Sequence, residues 1–195
     1  MIYRIIALFF FINLSSYSNV NDPLLTKDYK KQSKWVDSLY SSLSLKQKIG
    51  QLFFVQAFSN KTSSHEQEIL DNILDYNIGG IIFSTGSVEK QIDLTNKFQN
   101  NALIPLLIGM DAEWGLNMRL DSTFAFPWNM TLGAVEDNNL IKQVGTRIAF
   151  HANRIGVNFN FAPVVDINTN PNLSLIHISE PTRPRLISYA VFCLK

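Results

Sequence analysis

Cysteine and histidine are scarce in this chain, and their scarcity excludes several kinds of site. Its one cysteine, Cys193, provides neither a disulfide framework nor a cysteine-based metal site. The histidines at 65, 151 and 177 lie far apart and lack the spacing of metal ligands. No G-x-G-x-x-G or Walker pattern occurs, which argues against a nucleotide-binding sheet. We therefore expect no metal and no cofactor.

An excess of positive charge is also missing. The 195 residues include 17 lysines and arginines and 16 aspartates and glutamates, a net charge of +1 without a basic cluster. Nucleic-acid binding therefore has no electrostatic support. The apolar content of 46%, with 12% aromatic residues, indicates a globular protein with a hydrophobic core.

Near the N-terminus there is one apolar run, and it is short. Arg4 precedes Ile5 to Leu14, which is too short to span a bilayer, and small residues follow at Ser16 and Ser18. This order predicts a signal peptide over residues 1–18 and export to the periplasm or outside the cell, without membrane association after cleavage. The alternative is a short buried segment of a cytosolic protein.

Apolar periodicity predicts alternating helices and strands after a polar linker at residues 19–32. Helices are predicted over Ser33–Leu43, His65–Tyr76, Val88–Asn100 and Asn138–Arg154. A further helix is predicted to begin at Ser44, because Ser44 and Gln47 make a capping pattern. Asn77 and Gly156 are predicted helix stops. Strands are predicted over Leu52–Phe58, Ile78–Ser84, Ile104–Met110 and Val157–Val165, and residues 111–136 are predicted to be irregular.

Because helices connect successive strands, the strands are expected to be parallel with right-handed crossovers. The predicted fold class is α/β, the first half of a TIM-type (β/α)8 barrel with about four βα units.

The most informative stretch is IPLLIGMDAEWGLNMR, residues 104–119. Asp111 follows a buried strand at its carboxyl end, where α/β enzymes bind ligands. Trp114 and Arg119 come soon after, and a carboxylate, an aromatic ring and a guanidinium suit a polyhydroxylated ligand. Structural alternatives remain. Asp111 could cap a turn, Arg119 could pair with Asp111 or Glu113, and Trp114 and Trp128 could pack the top of the barrel.

Residues 173–195 do not continue the pattern. Pro181 and Pro184 interrupt any helix, and the last apolar run has no partner unit. The segment resembles the translated read-through of a synthetic sequencing adapter, so a non-native tail is predicted; the alternative is an ordinary C-terminal strand.

From Leu43 to Asn172 the chain resembles the N-terminal barrel domain of glycoside hydrolase family 3, within the β-N-acetylglucosaminidase-like branch. The matching stretches are Ser44–Val55, Ile78–Ser84, Ile104–Arg119, Phe126–Ala134 and Gly156–Pro171. Residues 33–172 are therefore predicted to be part of such a domain.

The resemblance implies roles for individual residues. The aspartate matching Asp111 accepts hydrogen bonds from hydroxyls of the terminal sugar, and the arginine matching Arg119 lies near the same subsite. Asp166 matches an aspartate close to the pocket floor, although a structural role in the loop after the fourth strand is the alternative. Trp114 stands where many members have one of a pair of glycines.

The resemblance also implies a retaining double displacement on oligosaccharide or glycoside substrates, as in a β-N-acetylhexosaminidase-like O-glycosyl hydrolase. The family's nucleophile and acid/base histidine would come after Asn172, so the 195-residue chain is expected to be an inactive fragment. Three alternatives are a β-glucosidase specificity, a non-catalytic carbohydrate-binding module, and a site in which Asp111 and Asp166 are themselves the carboxylate pair.

Overall fold

A computed structural model describes residues 27–163 of the chain. Within this range, helices α1 to α6 span Tyr29–Ser42, Leu45–Gly50, Ser63–Tyr76, Val88–Asn101, Asn129–Gly133 and Asn138–Arg154. Strands β1 to β4 span Phe54–Ala57, Gly80–Phe83, Leu107–Met110 and Phe159–Asn160. Helix α1 lies in a first compact unit that ends at Ser42, and the other elements belong to a second unit that begins at Leu43. Helix α1 has no buried residue.

The second unit is built on one parallel sheet in the order β1-β2-β3-β4. Each strand pairs with the next in register, so that Ala57, Phe83, Met110 and Asn160 form one row across the sheet. The helices α3, α4 and α6 lie in the connections between successive strands. The predicted α/β class is confirmed, and the arrangement is that of the first half of a (β/α)8 barrel.

One face of the sheet packs against helices α3 and α4. Ile81, Phe83, Ile108 and Met110 alternate along β2 and β3 with residues of the other face, and all four are buried. They share one core with apolar side chains of the two helices, namely Ile69, Ile73, Leu94 and Phe98. Burial of this face fixes the register, because a slip of one residue would turn its side chains away from the helices.

Several predicted helix ends are confirmed by their hydrogen bonds. Ser44 and Gln47 form a reciprocal capping box at the start of α2. Asp137 accepts a hydrogen bond from Asn139 N–H and caps α6. Asn77 and Gly156 have positive φ values of 52° and 79° and follow α3 and α6.

Other bounds differ from the predictions. Helix α1 begins at Tyr29, inside the predicted linker. Its first residues are mostly polar, and apolar spacing carries no signal for such residues. Residues 111–136, predicted to be irregular, contain a 3-10 helix at Leu116–Met118 and the short helix α5. The strands are shorter than the apolar runs that contain them, since residues flanking a ladder can be buried without pairing.

Three predicted features lie outside the described residues. These are the signal peptide at 1–18, Asp166, and the tail at 173–195. Among residues 27–163, no helix is long and apolar enough to cross a membrane.

Glu66, in the first turn of α3, pairs with two lysines of α4. Its Oε1 lies 2.7 Å from Lys90 Nζ, and its Oε2 lies 3.4 Å from Lys97 Nζ. The hydrogen bond from Lys90 is the largest influence and holds the pKa of Glu66 below its ordinary value, while burial opposes this effect. The Glu66 side chain is only 13% exposed, so water screens the pair less than it screens a surface ion pair.

Replacing Glu66 with Gln is expected to lower the free energy of unfolding at pH 7 by about 1 kcal/mol, because both lysines lose their shared anion. Since folding lowers the pKa of Glu66, this stabilisation is present above the unfolded-state pKa and is lost as pH falls through the folded-state pKa. Urea unfolding at pH 7 and at about pH 3 should therefore show a smaller difference in acid. The exposed Asp93, on the same helix as the lysines, supplies the control variant D93N. An equal loss in D93N, or a difference that persists in acid, would contradict the assignment.

Candidate functional site

The carboxyl end of β3 places a carboxylate beside a guanidinium. Asp111 follows the strand directly, and Arg119 Nη2 donates to Asp111 Oδ2 at a distance of 2.6 Å. The side chains of Arg119 and Asp111 are 26% and 36% exposed, respectively. The pair is therefore shielded enough to be ordered and open enough to meet a ligand. Because Arg119 occupies Oδ2, the carboxylate keeps Oδ1 as an acceptor.

The loop from Asp111 to Arg119 is anchored in the hydrophobic core. Its 3-10 helix at Leu116–Met118 brings the chain back toward the end of β3, and Leu116 and Leu120 are buried on either side of Arg119. Arg119 N–H also donates to Leu116 C=O at 2.9 Å. These contacts fix the backbone from which the guanidinium reaches Asp111.

Asn160 of β4 holds the residue next to Asp111. Its Oδ1 accepts a hydrogen bond from Ala112 N–H at 3.0 Å, and its Nδ2 donates to Ala112 C=O at 3.3 Å. One amide side chain thus bonds both backbone groups of the buried Ala112, whose C=O also accepts from Gly115 N–H at 3.2 Å. This double contact joins the start of the Asp111 loop to the neighbouring strand.

A second brace joins the same loop to the turn after β2. Gly86 N–H donates to Arg119 C=O at 3.3 Å, and Asp121 N–H donates to Gly86 C=O at 3.1 Å, which makes a parallel bridge between Gly86 and Leu120. Gly86 has a φ of +148°, and a Cβ there would lie 1.8 Å from Ser59 Oγ. Only glycine allows this close approach, because any side chain would collide with the turn after β1.

Trp114 belongs to an aromatic group at one side of the loop. Its ring centroid lies 6.1 Å from that of Trp128, with an angle of 52° between the planes. Phe126 N–H donates to Trp114 C=O at 3.0 Å. Trp114 is half-buried and Trp128 is 53% exposed, so the two rings pack together and still present aromatic surface.

The structure brings together two of the four residues predicted for the site. Asp111 and Arg119 form an ion pair, which is one of the two pairings that the sequence left open for Arg119. Trp114 lies in the same loop, and Asp166 lies outside the described residues. Sequence reasoning missed the roles of Asn160 and Gly86. The polar Asn160 inside the apolar run VNFNFAPVV was a signal that could have identified a structural amide.

Metal-ligating side chains do not gather in the part of the chain that the structure describes. No three histidine, cysteine, aspartate or glutamate side chains within residues 27–163 are placed to hold a metal ion. The chemistry that these residues offer at the sheet edge is hydrogen bonding to hydroxyl groups by a charged pair and stacking on aromatic rings.

A family model described as the glycosyl hydrolase family 3 N terminal domain matches residues 44–179. This chain belongs to glycoside hydrolase family 3. The match covers the whole sheet and the Asp111 loop, and the half-barrel fold is the one expected for that domain. It ends at Ser179, beyond Asn172, so the predicted boundary of the tail stays a prediction.

The family relatives include two curated enzymes. The chain is 34% identical over 124 residues to beta-hexosaminidase A of Pseudoalteromonas piscicida, covering 57% of this chain and 21% of that protein. It is 26% identical over 137 residues to a beta-N-acetylglucosaminidase/beta-glucosidase of Cellulomonas fimi, covering 70% of this chain and 23% of that protein. The chain thus spans between a fifth and a quarter of the length of these relatives.

Among solved structures, a beta-glucoside phosphorylase, BglX, bound to 2FGlc is similar with a TM-score of 0.67 and 26% identity. The similarity covers 75% of this chain and 26% of that one. The similarity is therefore to about a quarter of a longer chain.

Replacing Asn160 with Asp tests the brace on Ala112. An aspartate keeps the acceptor for Ala112 N–H but replaces the donor to Ala112 C=O with a second oxygen. We expect a loss of about 1–3 kcal/mol in the free energy of unfolding at pH 7, measured by urea denaturation.

The matched control is Asn158→Asp, two residues earlier in the chain. Asn158 Oδ1 accepts a hydrogen bond from Ile108 N–H at 2.9 Å, and aspartate retains that acceptor. An Asn158→Asp variant as destabilised as Asn160→Asp would show that the added charge, and not the lost donor, causes the effect.

Proposed function

We propose that the complete enzyme is a retaining glycoside hydrolase that removes terminal β-linked sugars, with β-N-acetylglucosaminides as its substrates. The observation that carries the proposal is the Asp111–Arg119 pair at the carboxyl edge of the sheet, in a chain of glycoside hydrolase family 3. The name of the Cellulomonas relative, a beta-N-acetylglucosaminidase/beta-glucosidase, supports the choice of an N-acetylated sugar, and the Pseudoalteromonas relative is named a beta-hexosaminidase.

In this proposal the pair recognises the sugar and does not attack it. Asp111 Oδ1 accepts a hydrogen bond from a ring hydroxyl, while Arg119 binds the other carboxylate oxygen and keeps the side chain oriented. A nucleophile must approach the anomeric carbon directly, and an aspartate already paired at 2.6 Å with an arginine is a weaker nucleophile than an unpaired one. The nucleophile and the acid/base residue are proposed to lie on later strands of the barrel, outside residues 27–163.

The polypeptide of 195 residues is proposed to be inactive by itself. The described part of the chain supplies four parallel strands, and a closed barrel of this type has eight. A sugar site at the mouth of such a barrel takes its catalytic groups from several strands, so half of the strands leave the constellation incomplete. Export is also proposed, on the basis of Arg4 and the apolar run that follows it.

Two other functions are compatible with particular observations. The name of the Cellulomonas relative includes beta-glucosidase, and the solved neighbour is a beta-glucoside phosphorylase. A glucoside substrate, or phosphate in place of water as the acceptor, would use the same hydroxyl contacts at Asp111. A non-catalytic carbohydrate-binding protein would retain the sugar contacts and show no turnover in any form.

The assay compares the purified 195-residue chain with the complete protein, whose reading frame is obtained by sequencing the gene through codon 172. We expect the complete protein to release p-nitrophenol from p-nitrophenyl N-acetyl-β-glucosaminide faster than from the β-glucoside, and the 195-residue chain to release none.

Each alternative has its own result in this assay. Faster cleavage of the glucoside indicates a β-glucosidase, and sugar 1-phosphate formed in phosphate buffer indicates a phosphorylase. Turnover by the 195-residue chain would contradict the proposed division of the site between the two halves of a barrel. Sugar binding without turnover in the complete protein would favour the binding function.

A further inference from the structure

The sheet face opposite α3 and α4 gains polar side chains toward its carboxyl edge. Phe54, Gly80 and Leu107 form one row across β1, β2 and β3, and Gln56, Ile82 and Gly109 form the next row on the same face. Two residues further along β2 and β3, the same face presents Ser84 and Asp111. The register of β3 and β4, continued in the same way, puts the exposed Phe161 beside Asp111, so polar and aromatic side chains share the end of the sheet where the Asp111 loop begins.

Ser84 follows the end of β2 as Asp111 follows the end of β3. The ladder continues to this level, because Ser84 N–H donates to Ala57 C=O at 2.9 Å. Phe83 and Met110 are the last paired residues of β2 and β3, so Ser84 and Asp111 are the next residue on each of the two neighbouring strands. Adjacent strands lie about 4.8 Å apart, a spacing at which two side chains can bind neighbouring hydroxyls of one sugar ring.

Gln56 and Ser84 form a hydrogen bond that leaves the serine proton available. Gln56 Nε2 donates to Ser84 Oγ at 2.6 Å, so the Ser84 hydroxyl acts as acceptor in this contact and its own proton points elsewhere. Ser84 is only 8% exposed, whereas Gln56 is exposed. A nearly buried hydroxyl, oriented by an exposed amide and adjacent to a carboxylate, is arranged like a binding group.

We propose that Gln56 and Ser84 form the uncharged part of the sugar subsite and bind the hydroxyl next to the one held by Asp111. The Ser84 hydroxyl donates to that sugar oxygen, and the Gln56 carbonyl oxygen accepts from it. Together with Asp111, the pair contacts two adjacent hydroxyls and therefore distinguishes sugars that differ in configuration at these positions. This inference rests on the proposed function, because it assigns further residues to the same sugar site.

The test measures binding of N-acetylglucosamine and its 3-, 4- and 6-deoxy analogues to the complete protein by calorimetry. Wild-type protein is expected to bind the analogue that lacks the hydroxyl next to the one held by Asp111 roughly tenfold more weakly than the parent sugar, because the contacts with Ser84 and Gln56 are lost. In Ser84→Ala this discrimination should shrink, because only the contact with Gln56 remains. Gln56→Met should reduce the same discrimination. Because Gln56 is exposed and methionine is similar to it in size, this variant tests the pair even if Ser84→Ala does not fold.

The matched control is Gln99→Met. The Gln99 amide bonds both backbone groups of Leu106 near the other end of β3, so its loss should lower stability and leave the discrimination between the sugars unchanged. If wild-type protein binds the sugars but Ser84→Ala and Gln56→Met retain the discrimination, the inference is wrong and the proposed function stands. If wild-type protein binds none of these sugars, both are wrong.

Discussion

The ion pair between Arg119 and Asp111 is the contact on which the geometry of the candidate site depends. It closes the loop after β3 onto the end of its own strand, over a distance of 2.6 Å between Nη2 and Oδ2. The carboxylate is thereby oriented without being fully buried, which limits the desolvation that a fully buried pair would incur. A sugar hydroxyl then meets an acceptor whose position was fixed before binding, so less conformational entropy is lost on association.

An ion pair that is partly exposed would contribute little by itself, and neighbouring segments provide the rest of the rigidity. The Asn160 amide holds the beginning of the loop, and the bridge between Gly86 and Leu120 holds its end. The first brace joins a side-chain amide to backbone and the second joins two backbone segments, and each links different βα units. The site is therefore a property of the assembled sheet, and the parallel register that aligns the strand ends is what brings its parts together.

Sequence patterns were sufficient to predict helix ends, because caps and helix stops depend on residues that are close together in the chain. The bounds of α6 follow from the Asp137 cap and the apolar spacing, and the end of α3 follows from the left-handed Asn77. Asp111 could be placed at a strand end because a short apolar run stops there. The role of Asn160 could not be predicted, since its partner Ala112 lies 48 residues earlier in the chain. Likewise, Gly86 is required only because Ser59 of another turn approaches it, and apolar spacing carries no information about such a contact.

The central claim is that Asp111 recognises the sugar and does not act as nucleophile or acid/base. The most direct test is azide rescue of Asp111→Ala in the complete enzyme, with an activated aryl glycoside as substrate. We predict that kcat/KM falls by roughly a hundredfold, that azide leaves the rate unchanged, and that no glycosyl azide forms. Restored turnover with formation of a glycosyl azide would show that Asp111 is one of the two catalytic carboxyl groups and would contradict this account.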